Sequence, residues 1–172
     1  MGLRTVRMVV KRALKMSAIV CLILLASFAG INTVKGGSGC EDKAHYLGSF
    51  DPDLQQVSLC PDVATQGQRS LAEVARHEFF HAIQHRFGYG GKGFLPDSLL
   101  TPLVRYGMYD REVMTVLTFY PEEEVNGELE ARLASRIIPN ALIAGALISG
   151  ALIKNNSVNG PIAQFRAFFI PR

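Results

Sequence analysis

No acidic residue occurs before Met16, and only three cysteines occur in the whole 172-residue chain. Both shortages are informative. Arg4, Arg7, Lys11, Arg12 and Lys15 crowd that acid-free start, and setting them aside leaves 13 basic against 15 acidic side chains. The body of the chain is therefore mildly acidic and lacks the basic footprint of a nucleic-acid binder. The glycine-rich stretch "GYGGKGFLPDS" lacks the Gly-Lys-Ser/Thr ending of a phosphate-binding loop, so it reads as a flexible connector or a lid. Cys40 lacks the large aliphatic residue of a lipobox before it, which argues against a lipoprotein.

The basic stretch leads into an apolar run, "MSAIVCLILLASFA", and then into small residues. Positions 1–29 read as a targeting segment, with Ser27 and Ala29 suited to a peptidase site before Gly30. An uncleaved anchor is the alternative, because Met16 to Val34 nearly reaches the roughly 20 residues that span a bilayer. Either outcome puts the rest of the chain outside the cytoplasm, secreted, periplasmic or tethered to the membrane. An exported compartment permits a disulfide between Cys40 and Cys60, with two free thiols as the other possibility.

Positions 30–43, containing "VKGGSG", read as a linker, and 44–172 as one domain. "AHYLGSF" and "QQVSLC" are β-forming runs joined by the turn residues "DPDL", which predicts a hairpin. A helix is predicted from Ser70, with Glu73 three residues on and Gly88 as its stop. The stretch "LLTPLVRYGMYDREVMTVLTF" is predicted helical in its second half. Another helix should run from Pro121 to about Ile138, with three glutamates at its positive end. "NALIAGALISGALIK" predicts a buried core helix too short to cross a membrane. The tail "PIAQFRAFFIPR" is apolar enough to pack back on the core.

The chemistry concentrates in "RHEFFHAIQH", Arg76 to His85. His77 and His81 lie four apart on the predicted helix, so both imidazoles leave one face, one turn apart. That spacing lets two rings reach one zinc ion, while Glu78 reaches a water on it rather than the ion. With 4 histidines and 9 glutamates in the chain, chance would supply about 0.005 matches to His-Glu-x-x-His. Coincidence is a poor explanation. Phe79, Phe80 and Ile83 make the helix bulky and apolar, and buried histidines need partners.

A catalytic zinc usually has three protein ligands. His85 is too far, about 12 Å along the helix from His77. Glu128 and Glu130 in "NGELEARLAS" remain, about 200° apart around their helix, so only one can face the metal. The neighbours of Glu130 are the more apolar set and favour it, with Glu128 as the alternative. Tyr106, Tyr109 and His45 are possible oxyanion-stabilising groups that nothing separates from ordinary core or surface residues.

With "HEFFHAIQ" followed by a helix carrying "ELEAR", the chain resembles the glutamate-type zincin metallopeptidases, in particular uncharacterised bacterial families with His-Glu-x-x-His-Ala-x-Gln before a Glu-Ala-Asp helix. The resemblance spans roughly Tyr46 to Phe169. It implies an α+β, zincin-like and mainly helical domain with a small hairpin or sheet over the motif helix. It also implies zinc held by His77, His81 and a glutamate, with Glu78 as general base and a peptide as substrate. Two other functions stay open: zinc hydrolysis of a non-peptide amide such as a cell-wall link, or a membrane-tethered module with a structural zinc. The chain departs from the family at Arg132, where those families carry Asp. A Glu-x-x-Ala-Asp pattern would select Glu128, so the third ligand stays open, and one acid that could orient a histidine is missing.

Overall fold

In the computed structural model, residues 17–36, 40, 47–61 and 70–155 are described. Among them the architecture is α+β and mostly helical, with six helices and one three-stranded sheet. Helix α1 covers residues 17–28. Strands β1 (Asn32–Lys35), β2 (Gly48–Asp51) and β3 (Gln56–Leu59) follow. The remaining helices are α2 (Leu71–Arg86), α3 (Asp97–Gly107), α4 (Asp110–Phe119), α5 (Glu122–Ile137) and α6 (Asn140–Asn155). No helix among the described residues is long and apolar enough to cross a membrane.

The hairpin forms where the turn residues suggest. The Asp51 carboxylate accepts from the amides of Asp53 and Leu54, both at 2.9 Å, and β2 pairs antiparallel with β3 from Gly48↔Leu59 to Asp51↔Gln56. The stretch 30–43, read as a linker, holds β1, which pairs parallel with β3 from Asn32↔Gln56 to Lys35↔Leu59. Four residues are too few for an alternating pattern, and a parallel partner is distant in sequence. The order is β1-β3-β2. The sheet lies directly on α2: a Cβ at Gly48 would stand 2.8 Å from Val74 Cγ1 and 3.0 Å from Glu78 Cγ.

Cys40 and Cys60 form a disulfide that ties the segment after β1 to the end of β3, 20 positions apart. Closing a loop of that size restricts the unfolded chain by about 3 kcal/mol in the chain-entropy picture. Thermal melts with and without reductant should show a drop of several degrees, also seen for Cys60→Ser. Equal melts would mean that the bridge carries no stability.

Helix α2 starts at Ser70, whose Oγ accepts from the Glu73 amide at 3.2 Å. It ends as a Schellman turn: Gly88 has φ +82°, its N–H donates to His85 O, and the Tyr89 N–H donates to Gln84 O. The first half of the stretch 99–119, read as non-helical, is helix α3 despite Pro102. One lost N–H bond is offset there by burial of Leu100 and Val104 against Met108, Val116, Leu129 and Leu133. Helices α5 and α6 fall where expected, and Ile143, Ala144 and Leu147 of α6 are buried in the core. The tail expected to pack back on that core lies outside the described residues.

The larger core joins α1, the sheet, α2 and α6 around Leu22, Ile31, Val57, Phe79, Ile143 and Leu147. Arg86 stitches these layers together by donating to Ala29 O at 2.6 Å and Leu147 O at 2.8 Å. The described part of the segment read as a leader thus packs into the domain. Helix α2, between this core and α5, carries the chemistry.

Candidate metal centre

Helices α2 and α5 run antiparallel. His81 meets Glu128 near one end of the seam, and Glu73 meets Arg136 near the other. The i, i+4 spacing puts the His77 and His81 rings edge to face, with centroids 4.7 Å apart. Their Nε2 atoms are 3.1 Å apart, and Glu128 Oε2 lies 3.2 Å from His81 Nε2 and 3.4 Å from His77 Nε2. These three residues form a largely buried group able to hold a metal ion. No fourth His, Cys, Asp or Glu joins them among the described residues.

Glu128 and Glu130 are both buried, so burial could not choose between them. The structure brings Glu128, not the favoured Glu130, to the imidazoles. The reason is what each carboxylate binds. Glu130 accepts from the Phe94 amide at 2.7 and 2.8 Å, from the Leu95 amide at 2.5 Å and from Gln84 Nε2 at 3.1 Å. It is buried as the anchor of the glycine-rich loop, which is pinned here rather than a free connector. Arg132 donates from Nε to Glu128 Oε1 at 2.8 Å. It occupies one carboxylate oxygen and leaves the other to face the two histidines.

Gln84 is fully buried and bridges the two helices: His81 Nδ1 is 2.8 Å from its Oε1, and its Nε2 donates to Gly127 O at 3.0 Å. Sequence reasoning missed it, although a buried polar side chain three residues after His81 sits on the same face. The Nδ1 of His77 is buried without a hydrogen-bond partner among the described residues. His85 points elsewhere, with its ring 6.0 Å from that of Phe50. Tyr106 and Tyr109 are exposed and line an open cavity of about 470 Å³ with Glu73, Met108 and Arg136. His45 lies outside the described residues.

The electrostatics suit a cation. Burial alone would lower the His81 pKa, but the hydrogen bond and charge of Glu128 more than offset it and lift the imidazole to about 9. Burial would likewise raise the Glu128 carboxyl, and the two histidines instead hold it well below the usual carboxylate range. A metal ion held here would take over the positive charge that the His81 proton supplies. Glu78 is different. Burial pushes its carboxyl up, only partly opposed by His77 and His81, so it is poised to take or hold a proton beside the group.

Compared with models of protein families, with curated proteins and with solved structures, the chain matches none.

Proposed function

We propose that the chain is a zinc-dependent metallopeptidase with a zincin-like catalytic domain. His77, His81 and Glu128 hold the metal, and Glu78 is the general base. The observation that carries this reading is the triangle of donor atoms. Zinc bonds of about 2.0–2.2 Å at tetrahedral angles imply ligand separations of roughly 3.3–3.6 Å. The separations here are 3.1, 3.2 and 3.4 Å, so the residues fit the ion with little movement. Two imidazole nitrogens and one carboxylate oxygen are also a donor set that suits zinc.

Bound zinc would supply a Lewis acid for a carbonyl oxygen and acidify a water to near neutrality. The residues do the rest. Glu78 would act as general base toward that water, since burial raises the proton affinity of its carboxylate, and would then release the proton to a leaving amine, which is the more basic group. Arg132 holds Glu128 by Oε1. Three ligands rather than four among the described residues favour catalysis over a structural zinc. The Cys40–Cys60 bridge favours an exported location.

Elemental analysis of the purified protein tests the centre before any substrate is known. The wild type should carry one zinc per chain. In zinc-replete buffer Glu128→Ala should lose it and Glu130→Ala should keep it. Retention by Glu128→Ala would sink the assignment.

A further inference from the structure

We propose that Gln84 and Glu130 are positioning residues that present Nε2 of His81, and not Nδ1, to the metal. This rests on the reading of the centre given above. The argument follows the direction of each hydrogen bond. One end of the Gln84 side chain faces Gly127 O at 3.0 Å and Glu130 Oε2 at 3.1 Å. A carbonyl and a carboxylate only accept, so that end must be the NH₂ group. The other end is then the carbonyl oxygen, 2.8 Å from His81 Nδ1. An amide oxygen cannot donate, so Nδ1 must carry a hydrogen. With that hydrogen in place, the lone pair of the neutral ring sits on Nε2, which faces Glu128 and His77.

Glu130 makes the arrangement one-way. Its carboxylate is held by the backbone amides of Phe94 and Leu95, so its oxygens stay acceptors toward Gln84. Turning the amide over would set its oxygen against two other oxygens in a site where Gln84 is fully buried. Bond polarity thus runs from the loop amides through Glu130 and Gln84 to one ring of the centre. The two imidazoles are consequently unequal. His81 is oriented before metal arrives, while Nδ1 of His77 has no such partner among the described residues.

The test uses the full chain with zinc and with cadmium-113 as probes. Gln84→Leu removes the acceptor at similar volume and should weaken zinc binding by about 10–100-fold in competition with a chromophoric chelator. Glu130→Gln should act in the same direction, and the double variant should bind no more weakly than the weaker single. In cadmium-loaded wild type, NMR should find metal coupling to Nε2 of His81 and none to Nδ1, while Gln84→Leu should show a mixture. Coupling to Nδ1 in the wild type, or wild-type zinc affinity in both variants, overturns the proposal. Should Gln84→Leu fail to fold, Glu130→Gln and the wild-type coupling still decide. A wild type that binds neither metal overturns the zinc reading itself, an outcome distinct from unaffected variants of a metal-binding wild type.

Discussion

Replacing Glu78 with Gln should leave zinc content unchanged and cut peptide hydrolysis by about 10²–10⁴-fold, the usual worth of a positioned proton acceptor. The substitution keeps shape and removes only the ability to take a proton. Glu78 is buried on α2 between the two histidines and packs under Gly48 of β2, so a neutral amide fits without loss of packing. It also relieves a cost, because burial disfavours the charged form that the wild type carries once deprotonated. The variant should therefore melt no lower than the wild type. The measurement is metal content, melting temperature and cleavage of a peptide library followed by mass spectrometry. Loss of zinc would show that Glu78 is a ligand, and full activity would end its role as base.

Gly127→Ala should be the most damaging glycine-to-alanine change among the described residues. At Gly127 helix α5 touches the glycine-rich loop, and an added Cβ would lie 2.6 Å from the Gly91 carbonyl carbon and closer still to its oxygen. Both sides are backbone, so no rotamer change relieves the overlap. The cost should be about 3 kcal/mol or more, at the top of the range for overpacking. It should also disturb Gln84, which donates to the Gly127 carbonyl. Gly145 of α6 is the control. Nothing lies within 4 Å of a Cβ built there, so Gly145→Ala should stabilise the helix by about 0.5–1 kcal/mol. Thermal melts of the pair should move in opposite directions, and equal shifts would discredit the steric account.

The two histidines and their helix were legible because their geometry is local. An i, i+4 pair needs only a helix, and Ser70 and Gly88 mark its ends. The β2–β3 hairpin was legible for the same reason, through Asp51 and its turn. The third ligand was not. A helical wheel reports which residues are buried, but not what a buried carboxylate binds. Glu130 is matched by amides about one-fifth of the chain away in sequence, and nothing in its own neighbourhood announces Phe94 or Leu95. Arg132 stood out in the sequence as a departure from the Glu-Ala-Asp pattern, whereas it is the partner that lets Glu128 be buried. Strand β1 escaped notice because its partner is parallel and distant. Helix α3 did so because Pro102 resembles a stop until the burial of Leu100 and Val104 is known.

Helix α1 bears on how such a chain would mature. Ile19, Leu22 and Ala26 are inserted beside Phe79 and Leu147, while Val20, Leu24 and Phe28 face outward. Scission before Gly30 would withdraw the first three from the interior and free the Ala29 carbonyl from its bond to Arg86. Ser27, Phe28 and Gly30 are exposed, but Ala29 is buried and its carbonyl is bonded to Arg86, so cleavage there would compete with the packing of α1. Where folding came first, Val20, Leu24 and Phe28 would remain as a greasy ridge on the surface of α1.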